Sequence, residues 1–335
     1  MPTKGIVIYG VGGVGTAVTR LCAARGWPVV AAVNRPGPKL GARLGTLAGV
    51  SLPRDVIVTH SLDTALAGSE ADLAVVSTGD RLQDQMPVYE ECLRRNLNVV
   101  SSGYESGYPS AVSEAAARHL DALARAHGVT FTGTGFQDLY RVGMLCYLVG
   151  ACAAVERVHH FSLVDIGRHG PAAYEVAGVG LEAEAFARRF RQVESSPISP
   201  YRVFLQHAVE AAGWRIAEIT SDVYPVFPDS DFERPDALGD FSPGRAIGAG
   251  YTTHIRTGTG TEVEARNELR LLAAGEEEAF EWTIDGSPNV AMRLTRLDSA
   301  LATATQIVNR IPDVLAAAPG LVTLDCLPPM RPPWR

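Results

Sequence analysis

Six residues near the N-terminus, Gly10-Val11-Gly12-Gly13-Val14-Gly15, have the composition and spacing of a phosphate cradle. The apolar run Ile6-Val7-Ile8-Tyr9 reads as the buried strand before them, and an amphipathic segment to about Arg25, closed by Gly26, reads as the helix after them. Each glycine has a task. Gly10 allows the tight turn, Gly12 lets the backbone approach a pyrophosphate, and Gly15 lets helix and strand pack closely. The pyrophosphate then meets free N–H groups at the positive end of the helix dipole. Spacing alone says little in a chain with 33 glycines. The strand before, the helix after and a second strand, Val29 to Val33, ending about 20 residues on supply the specificity. An NAD enzyme usually places Asp or Glu at the end of that second strand, whereas this chain has Asn34-Arg35, with Lys39 close behind. A forked Arg35 suits a 2′-phosphate and Asn34 can still bind a ribose. NADP is therefore the expected cofactor, with NAD also admissible.

Ligands of open α/β sheets bind beyond the carboxyl ends of the strands. Three such ends carry small or polar residues. Ser77-Thr78-Gly79-Asp80 is expected to line the nicotinamide ribose through Ser77, Thr78 and Gly79. In Ser101-Ser102-Gly103-Tyr104-Glu105, Ser102 and Gly103 are expected on the cofactor side and Tyr104 on the substrate side. A loop glutamate is more often solvated, but Glu105 lies between Tyr104 and Tyr108, where partial desolvation would fit it to hold or deprotonate a nitrogen nucleophile. The third end is Gly133-Thr134-Gly135-Phe136-Gln137-Asp138, where Phe136, Gln137 and the following Tyr140 are placed facing substrate. Asp138 suits a helix cap as well as a substrate contact.

The elements that must position these residues alternate strand and helix through the first half. Further strands are expected at 56–59, 73–77, 99–101 and 129–131, and helices at 62–67, 83–95 and 110–126. Such alternation implies a doubly wound parallel sheet of Rossmann type. From about 155 the runs lengthen and alternate (156–166, 214–227, 245–257, 262–272, 278–284), with helices at 180–192 and 200–212. This suggests an α+β substrate domain with helices on one face of its sheet. A helix over 296–317, with Leu297, Leu301, Ala304, Ile307, Val308 and Ile311 on one side, is expected to return to the nucleotide domain, with Pro312 kinking or ending it. The domains are thus drawn as 1–153 with 296–335, and 154–295. The Pro- and Asp-rich stretch from Phe227 to Gly244 is a candidate lid.

Composition narrows the partners. A net charge of −7 disfavours nucleic acid and anionic membranes, and 46% hydrophobic residues can build two ordinary cores. No apolar run reaches the roughly 20 residues of a membrane span and no signal-peptide core is evident, so a cytoplasmic location is expected. Cys22, Cys92, Cys146, Cys152 and Cys326 are scattered, which suggests neither a disulfide framework nor a metal site.

The chain resembles the family of native amine dehydrogenases and 2,4-diaminopentanoate dehydrogenases, relatives of dihydrodipicolinate reductase. The resemblance runs along nearly the whole length. It is carried by the glycine loop, Asn98-Val99-Val100-Ser101 leading to Glu105, Gly133-Thr134-Gly135-x-Gln137-Asp138, and Val308-Asn309-Arg310-Ile311-Pro312-Asp313 with Pro319-Gly320. It implies reversible, NADP-dependent reductive amination of a small aliphatic ketone or aldehyde with ammonia. It also implies Glu105 as the catalytic residue and a homodimer built on the second sheet. Alternatives are a 2,4-diaminopentanoate or amino-acid dehydrogenase, a dihydrodipicolinate reductase-like oxidoreductase, and a non-catalytic NADP-sensing regulator. The reductase reading is weakened at His159-His160-Phe161-Ser162-Leu163-Val164-Asp165: the paired histidines and aspartate match, but Leu163 replaces the lysine that binds the dicarboxylate. Alternation along that strand makes one histidine face the core and one face solvent, as structural residues.

Overall fold

The computed structural model describes residues 4–169, 171–194, 200–228, 232 and 243–332. In chain order the elements begin with β1 (Ile6–Tyr9), α1 (Gly13–Ala24), β2 (Val29–Val33), α2 (Leu44–Ala48), β3 (Val58–Thr59), α3 (Leu62–Leu66), β4 (Leu73–Val76) and α4 (Leu82–Arg94). There follow β5 (Asn98–Ser101), α5 (Glu114–Ala126), β6 (Thr130–Gly133) and a π-helical turn, Asp138–Gly143. Next come α6 (Met144–Gly150), β7 (Ala154–Asp165), α7 (Pro171–Val176), α8 (Ala183–Glu194) and α9 (Pro200–Ala211). The chain continues through β8 (Ile216–Val226), β9 (Gly248–Thr257), β10 (Glu262–Arg270), β11 (Ala279–Ser287) and β12 (Val290–Thr295) to α10 (Ser299–Ala316) and β13 (Gly320–Leu321). Contacts divide the chain into one unit of Met1–Leu139 with Ala300–Arg335 and another of Tyr140–Ser299.

The first unit is a seven-stranded parallel sheet in the order β13-β6-β5-β4-β1-β2-β3. Its central strands are apolar at nearly every position because both faces are covered. Ile6, Ile8, Leu73 and Val75 pack with α1 and with Ala304, Ile307, Val308, Ile311 and Val314 of α10. Val7, Ala74, Val76 and Val99 point the other way, onto Tyr89, Cys92 and Leu93 of α4 and Leu120 and Ala124 of α5. One feature of α10 differs from the sequence reading: Leu301 is 51% exposed, because the buried stripe begins only at Ala304. The helix covers nearly the expected span, running through Pro312 to Ala316. Strand β13, two residues long, was too short to register as a period-2 pattern.

The second unit is a six-stranded mixed sheet in the order β12-β11-β7-β10-β9-β8. β7 and β10 run parallel and the other pairs run antiparallel. α6, α8 and α9 pack on one face. Across the other face, the register lines up Asp285, Arg157, Glu262, Arg256 and Glu218, so charge alternates from strand to strand. Phe227 to Gly244, the candidate lid, lies outside the described residues except for its ends and Phe232. Among the described residues no helix is long and apolar enough to cross a membrane, and no group of His, Cys, Asp or Glu has the geometry to hold a metal.

Candidate active site

The first unit gathers the predicted residues other than Tyr140 because β6, β5, β4, β1 and β2 are neighbours and parallel, so their carboxyl ends share one edge. Gly10 has φ 104°, and a Cβ there would lie 2.4 Å from the Ser77 carbonyl oxygen. A Cβ on Gly15 would lie 2.0 Å from the Gly10 oxygen. Both positions therefore demand glycine for packing. Gly12 and Gly13 differ, since a Cβ on either would meet nothing within 4 Å. α1 has no side-chain cap and no acid in its first turn. Open space in front of an uncapped helix N-terminus fits the pyrophosphate of a dinucleotide.

The residues expected around this loop also lock it. Asn34 Oδ1 accepts the Val11 N–H at 3.0 Å, Asn34 Nδ2 donates to the Arg35 carbonyl at 3.1 Å, and Lys39 Nζ donates to the Val11 carbonyl at 2.5 Å. Val14 lies half-buried in the first turn of α1. The Arg35 side chain is exposed and forms no hydrogen bond or ion pair with another described residue. Ser77 Oγ donates to the Gly10 carbonyl at 3.0 Å, Thr78 Oγ1 bonds to Gln85 Oε1, and a Cβ on Gly79 would collide with Gln85 Nε2.

Glu105 opens a 3-10 turn directly after β5. Its loop is fixed from beneath by buried hydroxyls. Tyr89 and Ser106 both hydrogen-bond Ser101 Oγ, at 2.7 and 2.9 Å, while the Gly103 N–H donates to Ser101 Oγ at 3.2 Å. Burial pushes the Tyr89 phenol up to about 12. Ser102 and Tyr104 are half-buried along this loop. Gly103 fits because a Cβ would sit 2.7 Å from the Gly79 oxygen, and Gly133 because a Cβ would sit 2.2 Å from the Ser106 oxygen. The half-buried Glu105 carboxylate accepts the Leu82 N–H at 2.7 Å, at the start of α4, whose N-cap Arg81 offers no side-chain bond. The Glu105 N–H in turn donates to the Asp80 carbonyl at 3.1 Å. The Asp80 carboxyl is held above its ordinary range, first by desolvation and then by the Glu105 charge, partly offset by the Tyr104 N–H. Asp80 is nonetheless exposed to solvent.

At the β6 end, Phe136 and Gln137 are buried, and Gln137 Oε1 has no hydrogen-bond partner among the described residues. Asp138 is committed elsewhere. Its two oxygens accept Arg310 Nε and Nη2 at 2.6 and 2.7 Å, and Thr134 Oγ1 donates to it at 2.8 Å. Arg310 Nη1 goes on to Asp313 and to the Pro328 carbonyl. The two motif stretches around Asp138 and Arg310 therefore meet as a buried, bidentate ion pair.

Within the second unit, the half-buried Tyr140 packs on Phe280 and its carbonyl accepts Trp282 Nε1 at 3.0 Å. Arg141 is fully buried, its Nη2 donating to Asn267 Oδ1 and Ser162 Oγ and its guanidinium lying over the Tyr201 ring at 4.7 Å. His160 faces inward, stacked on Trp282, with Nδ1 donating to the Glu281 carbonyl at 2.8 Å. Burial, then the Arg141 charge, holds its pKa well below the ordinary value, so it is neutral. His159 is half-exposed between Glu264 and Asp285, and Leu163 packs with Leu272 and Ala279.

The family model for the 2,4-diaminopentanoate dehydrogenase C-terminal domain matches residues 142–332, more than half of the chain. The chain belongs to the family of amine dehydrogenases and 2,4-diaminopentanoate dehydrogenases. The solved structure of amine dehydrogenase from Mycobacterium smegmatis superposes with a TM-score of 0.90 at 32% identity, covering 99% of this chain and 97% of that one. A 2,4-diaminopentanoate dehydrogenase of Acetoanaerobium sticklandii is 26% identical over 97% of this chain and 94% of its own length. A biliverdin reductase from Synechocystis, solved with biliverdin and NADP+, shares the fold alone, at a TM-score of 0.57 and 13% identity. The protein of this family described here is an oxidoreductase, a dehydrogenase of the amine and 2,4-diaminopentanoate type that uses a nicotinamide cofactor.

Proposed function

We propose that this enzyme reductively aminates a small aliphatic ketone or aldehyde with ammonia to a primary amine, reversibly and with NADPH. The observation that carries the reading is the Glu105 carboxylate, held on the Leu82 N–H at the same sheet edge as the glycine loop, with no cationic side chain paired to it among the described residues. A carboxylate left without a cation of its own suits a site where a cation forms. When bound, the nicotinamide supplies the hydride. The protein's share is to take a proton from ammonium, to keep an anion beside the iminium as it develops, and to hold the carbonyl compound in place. Phe136, Gln137, Tyr104 and Tyr140 are the side chains proposed to contact it.

NADP is favoured because β2 ends in Asn34-Arg35 without an acid, and the Arg35 guanidinium is exposed and unengaged. We also propose a homodimer across the face of the second sheet that carries the alternating charges, which complement a two-fold copy. Sedimentation at physiological salt should give a dimer, and a stable monomer would contradict that part.

The test is to supply wild-type enzyme with a panel of short ketones and aldehydes and follow nicotinamide absorbance with and without ammonium. Ammonium-dependent oxidation of NADPH, stronger than that of NADH, is expected. Cofactor binding with no turnover across the panel would contradict the proposal in favour of a sensing role.

A further inference from the structure

Two carboxylates, not one, stand at the β4 and β5 ends. β4 and β5 are parallel neighbours with Val76 opposite Ser101, so the segments leaving them run side by side. The Ser102 N–H donates to the Val76 carbonyl and the Glu105 N–H to the Asp80 carbonyl, at 3.0 and 3.1 Å, which ties the two loops together. Neither carboxylate is paired with Lys, Arg or His among the described residues, and the Glu105 charge is felt at Asp80. Adjacent like charges separate into one group that keeps its charge and one that carries the proton.

Their surroundings differ in kind. Glu105 Oε2 accepts the first N–H of α4, a 13-residue helix without a side-chain cap, and so sits at the positive end of that dipole. Asp80 has no helix end to itself. It feels Glu105 from the β5 loop and Tyr89 from α4, and it keeps contact with solvent through which a proton can pass. At the adjoining β6 end the buried Gln137 Oε1, without a partner among the described residues, adds an acceptor suited to an N–H of ammonia.

We propose that Asp80 is the general acid and base of the amination, while Glu105 stays a fixed anion that balances the iminium. This rests on the amination reading above and divides between two residues what that reading gave to Glu105. In the step, Asp80 as carboxylate takes one proton from ammonium. The freed ammonia forms the C–N bond as the carbonyl π pair moves to oxygen, and a proton passes from nitrogen to that oxygen. Asp80 then returns its proton to the hydroxyl, the C–O bond breaks, and water leaves with the iminium behind it. Asp80 ends as it began, and one ammonium and one carbonyl have become one iminium and one water.

The experiment compares wild type, Asp80→Asn, Asp80→Glu and Glu105→Gln, each loaded with NADPH, on two substrates. One is a ketone with ammonium and the other a preformed cyclic imine, which needs reduction but no dehydration. Asp80→Asn should lose amination by about 10²–10⁴-fold and lose one limb of the amination pH profile. It should reduce the imine within about threefold of wild type, allowing for the modest coupling of neighbouring groups. Asp80→Glu should recover part of the amination. Glu105→Gln should lose both reactions. The proposal is overturned if Asp80→Asn aminates like wild type with an unchanged profile, or loses imine reduction as fully as amination. Should wild type aminate nothing, the amination reading itself fails, an outcome separate from either.

Discussion

The Rossmann unit holds acidic residues at its strand ends in two opposite ways. Asp138, beyond β6, is buried and fully compensated, with both oxygens on Arg310 and a third bond from Thr134. Asp80 and Glu105, beyond β4 and β5, accept backbone N–H groups and are paired with no cation among the described residues. A buried carboxylate matched by a guanidinium holds structure together and has nothing left for a substrate. Carboxylates left without a cation are poised to meet one. Two of the stretches that carry the family resemblance thus build the frame that joins β6 to α10, while the carboxylates without a cation stand one and two strands away, beyond β5 and β4.

The largest test of that contrast is Arg310→Met. Removing the guanidinium strands Asp138 and should cost about 3–5 kcal/mol in urea unfolding, while the folded fraction keeps its turnover per molecule. If stability is unchanged, Asp138 is not held as described.

A smaller test uses Arg35, an exposed cation of the same unit that has no acidic partner among the described residues. Arg35→Ala should raise KM for NADPH by about tenfold, the value of one charge-assisted contact. It should leave KM for NADH nearly unaltered. Equal losses for both cofactors would show that Arg35 does not read the 2′-phosphate.

The smallest effect sharpens the comparison most. Asp138→Asn should destabilise, whereas Asp80→Asn should not. The Asp80 carboxyl has its folded pKa raised above the unfolded value. The folded protein therefore binds more protons than the unfolded chain between those two pKa values, and wild type loses stability as pH rises through that window. Asp80→Asn removes this slope. Its melting temperature should equal wild type at low pH and slightly exceed it above the window, which thermal unfolding across pH checks.

Much of this frame can be read from the chain because central parallel strands are continuous apolar runs and their helices carry one apolar stripe. Strand alternation likewise turns His160 inward and leaves His159 half-exposed. What stayed hidden depends on partners. Asp138 and Arg310 are separated by 172 positions, and their motifs give no sign that they bond to each other. Leu301 fits the α10 stripe by spacing, yet it falls before the part of the helix that meets the sheet. Asp80 lies in a segment recognisable as a strand end, but its importance needs the adjacency of β4 and β5, which sets Glu105 beside it. Similarly, Asn34 and Lys39 suggest cofactor contacts by type, while only the folded loop shows that both are tied to Val11.

The central claim is that the uncompensated carboxylate of Glu105 drives amination and plays no part in holding the dinucleotide. Its most direct test is Glu105→Ala, measured for NADPH affinity by titration and for ammonium-dependent NADPH oxidation with the best wild-type substrate. An unchanged Kd with amination lost by at least about 10²-fold is the predicted result. Retained amination, or loss of NADPH binding in a folded variant, would contradict it.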